Sequence, residues 1–267
     1  MGKLKNKVIL VTGASRGIGK GCVNKLLSEE ASVIATDRDE ALLEESHREW
    51  AVKFGKSIRI QFLDIASEAD WIKVMSDIEA NEGLLHGLVN NAGIVNLKPL
   101  EEMSLEEFRE TQDVNLTGTF IGTKLAVDIM RRKNNAKGSI VNISSISGLT
   151  SPANASGGMY SGVKSMIIKF SEGIHKEYSH KNVFCCAVCP GFTHTEFHEN
   201  MKEFKNSIPS FMWMTSKEVA KEAYEASMQG KELYVNGFFN RFLLFVMRIL
   251  PKWLNNLYVK SLMRKRH

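Results

Sequence analysis

The chain has 267 residues, 43% hydrophobic and 24% charged, which allows one large core and excludes a disordered or low-complexity polypeptide. Five prolines, twenty glycines and no internal repeat or Pro/Ser-rich linker lead to the expectation of a single domain. The net charge of +5 belongs to the C-terminus: Leu233 to His267 holds seven basic residues and no acidic one, against 28 basic and 30 acidic side chains elsewhere.

At the N-terminus, MGKLKNKVILVTG has no apolar stretch of signal-peptide length before its first strand, and Asn6 breaks the myristoylation pattern that Gly2 would open. KVILVT (7–12) reads as a short buried strand and is followed by a helical pattern from about Gly17 to Leu27. SVIAT (32–36) is the next strand, and a polar helix runs from Glu40 to about Phe54. SIRIQFL alternates and then meets Asp64, a helix is expected around Asp70–Ile78, and HGLVNNAG is a short strand ending in a turn. Two long helical patterns cover roughly 104–132, GSIVNIS (138–144) is a strand, and a helix opens near Tyr160. NVFCCAVC (182–189) returns as a strand. Alternating strands and helices with apolar strands imply a parallel sheet covered on both faces, with ligands at the carboxyl ends of the strands.

The cysteines are Cys22, Cys185, Cys186 and Cys189, and three of them crowd into one expected strand. There they pack as small apolar groups rather than bridge or bind metal, so a reduced, cytoplasmic setting is expected. His194 and His198 lie four apart without a supporting Cys or HExxH context, and no metal site is expected.

The first strand runs straight into TGASRGIG (12–19), placing Gly13, Ser15, Arg16, Gly17, Ile18 and Gly19 between a strand and a helix. Gly13 permits a tight turn, Gly17 lets backbone approach a pyrophosphate, and Gly19 lets the helix lie close to the sheet. The helix N-terminus then offers free N–H groups to phosphates. Asp37, ending the second strand, is placed to accept hydrogen bonds from both adenosine ribose hydroxyls and would repel a 2′-phosphate, which argues for NAD. Arg16 and Arg38 argue for NADP, since guanidinium suits phosphate; Asp37 is given the greater weight. Asp64, with Ile65 after it, is a candidate for the adenine edge or a turn-capping residue.

With TGASRGIG at 12–19, NNAG at 90–93, YSGVK at 160–164 and PGFTHT at 190–195, the chain resembles the short-chain dehydrogenase/reductase family over roughly residues 5–230. The resemblance implies a Rossmann-type, doubly wound α/β fold and hydride transfer between a nicotinamide dinucleotide and a secondary alcohol or ketone. It makes Tyr160 the proton donor or acceptor and gives Lys164 two tasks: lowering the phenol pKa, as a neighbouring ammonium should, and holding the nicotinamide ribose. It implies a substrate-binding serine after the fifth strand, for which Ser144, Ser145 and Ser147 are available. The strand and its closing Gly148 select Ser145, whereas the family's usual spacing from Tyr160 would select Ser147. Asn115 matches the helix asparagine that supports a water-mediated proton path to the lysine. Asn91, Ala92 and Gly93 resemble the turn beside the cofactor, and Pro190, Gly191, Thr193 and Thr195 the loop that closes over the carboxamide and pyrophosphate. The segment EFHENMKEFKNSIPSFMWM is expected to be a substrate lid. Its Phe197, Met201, Phe204, Phe211, Met212 and Trp213 favour an apolar substrate, with core packing the equal alternative.

Two regions are expected: a dinucleotide-binding catalytic unit over 1–236 and a basic amphipathic extension over 237–267. In place of the closing strand and glycine-rich end common in the family, the chain continues after KELYVNG with aromatic, aliphatic and basic residues. Phe242–Met247 is too short to span a bilayer. The extension therefore reads as an interfacial segment on an anionic membrane, a cover for the site, or a contact between copies; nucleic acid is not expected. The whole reads as an NAD(H)-preferring oxidoreductase of a lipid-like substrate, assembled as a dimer or tetramer. The alternatives are an NADPH-dependent ketoreductase and a membrane-associated protein that senses the dinucleotide without turnover.

Overall fold

The computed structural model describes residues 2–132, 137–150, 157–195 and 210–249, without the side chains of Phe211 and Arg248. Seven strands form one parallel sheet: β1 (Val8–Thr12), β2 (Ser32–Asp37), β3 (Ile58–Phe62), β4 (Gly87–Asn90), β5 (Gly138–Ile143), β6 (Val183–Cys189) and β9 (Leu233–Val235). Their spatial order is β3-β2-β1-β4-β5-β6-β9. The direction of winding reverses between β1 and β4, and such a reversal opens a crevice at the carboxyl ends of the strands. A two-stranded pair, β7 (Thr193–His194) and β8 (Met214–Thr215), joins the loop after β6 to the segment entering the seventh helix.

Alternation along the strands sends side chains into two cores. Ile9, Val11, Val33 and Ala35 face helices α1 (Gly17–Ser28), α2 (Glu40–Phe54) and α7 (Ser216–Met228), which add Val23, Leu43, Trp50 and Ala223. Val8, Leu10, Ile34 and Leu88 face α3 (Glu68–Glu82) and α5 (Gly118–Arg132), which add Trp71, Val74, Ile78 and Ile121. Burying each large aliphatic side chain stabilises the fold by about 1.5–3 kcal/mol. Helix ends are set by local chemistry: Asp39 accepts from the Leu42 amide, and Ser104–Glu107 and Thr215–Glu218 form capping boxes for α4 (Leu105–Gln112) and α7.

Three features depart from the sequence reading. The helix expected around Asp70–Ile78 runs from Glu68 to Glu82, because Ser67 caps its start and Gly83 ends it at φ 73°. A closing strand is present after all: the short LYV pairs with Ala187–Cys189 as β9, and the following Gly237, at φ 79°, turns the chain into α8 (Phe238–Ile249). Between α4 and α5 the expected second helix begins with a π turn, Asp113–Thr117, in which the Gly118 amide donates to the Asp113 carbonyl. Single π turns inside helices often mark functional positions, and Asn115 lies at the centre of this one.

Candidate active site

The glycine turn is built as its spacing requires. Gly13 and Gly17 have φ of 61° and 54°, the left-handed region that favours glycine. A Cβ on Gly19 would stand 2.0 Å from the Gly13 carbonyl oxygen, so only glycine brings α1 this close to β1. The NNAG turn is tied to it: Asn91 Nδ2 donates to the Thr12 and Gly13 carbonyls, and Thr12 Oγ1 accepts from the amides of Asn91 and Ala92. Arg16 stands at the N-cap of helix α1 and puts no side-chain cap on its first amides. A glycine-lined bend opening onto uncapped helix amides fits the pyrophosphate of a dinucleotide.

Asp37 is fixed from two sides. One oxygen accepts from the Ser15 amide (3.1 Å) and hydroxyl, and the other from the Asp39 amide (3.2 Å). Ser15 itself is buried, and its carbonyl accepts from the Ser46 hydroxyl. Ile18 packs, partly buried, against the first core, and Ile65 is buried within the second. Asp64 Oδ1 accepts from the Ala66 amide, the turn-capping alternative, while the residue also lines a cavity of about 690 Å³ with Arg38, Leu105, Arg109 and Asp113. The α4 wall of that cavity, Arg109 above all, escaped the sequence reading; its signal is the polar i, i+3, i+4, i+7 series Glu106, Arg109, Glu110, Asp113.

Tyr160 and Lys164 occupy the first turns of α6 (Gly158–Tyr178). The Lys164 ammonium nitrogen lies 5.7 Å from the Tyr160 ring centre and donates to the Ile143 carbonyl at the end of β5 (3.0 Å). Of the three serines, Ser145 is the one whose hydroxyl draws the Tyr160 pKa down. Ser147 supports it, donating its amide to Ser145 Oγ and sharing a 3.0 Å hydroxyl contact with it. Ser144 is buried and donates to the Lys164 carbonyl, fastening β5 to α6. The lowered phenol pKa expected from the sequence is not found. Burial raises Tyr160 to about 12 against the pull of Ser145, and burial lowers Lys164 to about 8. Removing both groups from water disfavours both charged forms, and with Lys164 directed to Ile143 its field does not offset that.

Asn115 closes the near side. Its Oδ1 accepts from the Ile94 amide and its Nδ2 donates to the Ile94 carbonyl, both at 2.8 Å, while its own carbonyl accepts from the Thr119 hydroxyl. No hydrogen bond joins Asn115 to Lys164 directly. Below this level Asn90 donates to Asn142 and Thr123, and Asn142 donates to Ser171, a buried network the sequence reading missed. Opposite, the Pro190 carbonyl accepts from the Ile146 amide, and Thr193 is buried with its hydroxyl on the Gly191 carbonyl. The Thr195 methyl would stand 3.1 Å from a Cβ on Gly17, so the loop after β6 closes on the glycine turn. Trp213 stacks on His194 and packs on Phe192. Phe197, His198, Met201 and Phe204 lie outside the described residues, as does the Phe211 side chain. Among the described residues no group of His, Cys, Asp or Glu could hold a metal ion, and all four cysteines are free and buried.

Residues 7–206 match the family model for short chain dehydrogenase. The chain is 34% identical over 246 residues to the 3-oxoacyl-[acyl-carrier-protein] reductase FabG of Aquifex aeolicus, covering 88% of this chain and 98% of that one. It is 33% identical over 194 residues to a 3-alpha-(or 20-beta)-hydroxysteroid dehydrogenase of Mycobacterium tuberculosis, covering 73% and 72%. Its fold matches the crystal structure of a 3-ketoacyl-(acyl-carrier-protein) reductase from Brucella melitensis complexed with NADH, with a TM-score of 0.79 at 23% identity over 87% of this chain and 97% of that one.

Proposed function

The chain belongs to the short-chain dehydrogenase family and is an oxidoreductase of CH–OH groups, and from that premise we propose that it prefers NAD(H) and acts on an apolar secondary alcohol or its ketone. The observation that carries this reading is the approach of Lys164 to the Tyr160 ring, with Ser145 acting on the same phenol, at the end of the sheet that also carries the glycine turn. Gly13, Arg16, Gly17, Gly19, Asp37, Asn91, Ala92, Gly93, Gly191 and Thr195 would hold the dinucleotide, which supplies or accepts the hydride. Ser145 orients the substrate oxygen by a hydrogen bond. Tyr160 gives its proton to that oxygen in reduction and takes one back in oxidation. Lys164 holds the nicotinamide ribose, and Asn115 keeps the Ile94 segment in place beside the site. Asp37 supports NAD(H), since a fixed carboxylate repels a 2′-phosphate. Phe192, Trp213 and Met214 support an apolar substrate. Arg38 and Arg109, which both line the cavity, favour the second reading, an NADPH-dependent ketoreductase.

A cytoplasmic enzyme is proposed; no described helix is long and apolar enough to cross a membrane. Assembly of two or more copies is supported by Phe120 and Met166, which are exposed on α5 and α6, with the Phe120 ring 6.0 Å from that of Phe170. The test is NADH consumption against a series of aliphatic and cyclic ketones, with wild type and Tyr160→Phe. The substitution should lower kcat by about 10²–10⁴-fold and leave NADH affinity unchanged. Turnover that survives it would remove Tyr160 as the proton donor, and a wild type that binds NADH without turning over any ketone would favour a sensing role.

A further inference from the structure

Helix α8 is anchored along one side and bare along the other. Its inner face buries Asn240 and Leu244. Asn240 donates to the Asn236 carbonyl (2.8 Å), and its side-chain nitrogen lies 2.3 Å from where a Cβ on Gly191 would stand, so the helix rests on the loop after β6. Arg241 donates to the Val235 carbonyl and the Tyr234 hydroxyl, both at 3.0 Å. On the outer face, Phe238, Phe242, Phe245 and Ile249 are 77%, 53%, 61% and 65% exposed. Their spacing of i, i+4, i+7 and i+11 sets all four in one narrow stripe.

The charge lies at the same end of the chain. Arg241, Arg248, Lys252, Lys260, Arg264, Lys265 and Arg266 have no acidic residue among them from Leu233 onward, whereas the preceding chain is slightly acidic overall. We propose that α8, with the basic chain that follows it, docks on a bilayer bearing anionic phospholipids. The helix lies in the headgroup plane, with the Phe238–Phe242–Phe245–Ile249 stripe turned into the lipid. Aromatic and aliphatic residues flanked only by cations match that interface on both counts: area for the acyl boundary and charge for the phosphates. A second copy of this chain is a poorer occupant, since a two-fold contact through the stripe would bring Arg241 against its own equivalent with no acidic residue on α8 to offset it. With no described helix able to span, the contact is peripheral. Because Asn240 holds α8 on Gly191, docking also turns the candidate site toward the membrane surface; only this orientation rests on the proposed function.

The test is flotation of the full chain with phosphatidylcholine vesicles, with and without about one third phosphatidylserine. Wild type should float with the anionic vesicles, and raising the salt severalfold should release it. Phe242→Ser with Phe245→Ser should weaken binding at least about tenfold, with circular dichroism and NADH affinity unchanged. Three results would overturn the proposal. The first is wild type failing to float with anionic vesicles, and the second is the double variant floating as well as wild type. The third is that sedimentation finds copies joined through the stripe, separated by the double variant, with no vesicle binding. Vesicle binding by a protein that does not bind NADH would leave docking intact and overturn the dinucleotide reading instead.

Discussion

Burial acts on Tyr160 and Lys164 in opposite directions and favours the neutral form of each, raising the phenol to about 12 and lowering the ammonium to about 8. At neutral pH the phenol therefore carries its proton, ready to give it, and most of Lys164 is still charged. The sign for reduction follows. The ammonium is present below pH 8 and lost above it, so kcat/KM for ketone reduction should be level up to about pH 8 and fall beyond it. A profile that climbs through pH 8 would contradict that order. The i, i+4 placement of the pair was legible because helix geometry alone puts the two residues on one face. The phenol's pKa direction was not, because desolvation depends on the chain segments that close around it. Ser145 against Ser147 was a close choice for a related reason: both hydroxyls meet, and only the position of α6 decides which one reaches Tyr160.

At the scale of elements, the glycines divide into those that bring segments together and those that touch nothing. Gly19→Ala sets its Cβ 2.0 Å from the Gly13 carbonyl oxygen, a backbone atom that cannot swing aside. Overpacking of this kind costs about 1–3 kcal/mol, a fall of roughly 2–4 °C in Tm per kcal/mol, and should weaken NADH binding at least about tenfold by displacing α1. Gly173→Ala in mid-α6, with nothing within 4 Å, should instead stabilise by about 0.4–1 kcal/mol. Thermal melts of the two variants beside wild type check both signs, and equal effects would contradict the packing described. Strands β1 to β6 were legible within a residue or two because buried parallel strands are short apolar runs bounded by turn residues. The π turn at Asn115 was not, since DVNLTG continues a helical pattern and the extra residue is taken up by Asn115 bonding across to Ile94. Strand β9 was hidden by its length: three residues carry too little pattern to read.

Across the whole molecule, the reversal of winding between β1 and β4 gathers the glycine turn, Asp37, the NNAG turn and the Ser145–Tyr160–Lys164 cluster at the carboxyl end of the sheet. The motifs were legible one by one, and so was their common end of the sheet, because parallel strands present their carboxyl ends together. The bond from Asp37 to Ser15 and the seating of α8 on Gly191 were not, since both depend on how separate segments come to rest. The cation-rich C-terminus was plain from composition, whereas the division of α8 into a buried Asn240 side and a bare aromatic side needed the packed structure. The central claim, a dinucleotide site in which Asp37 selects NAD(H), is tested most directly by fluorescence titration of the full chain with NADH and NADPH. Wild type should bind NADH at least about tenfold more tightly, and Asp37→Asn, which keeps an acceptor for the Ser15 amide, should erase that preference. Tighter binding of NADPH by wild type, or binding of neither, would contradict the account.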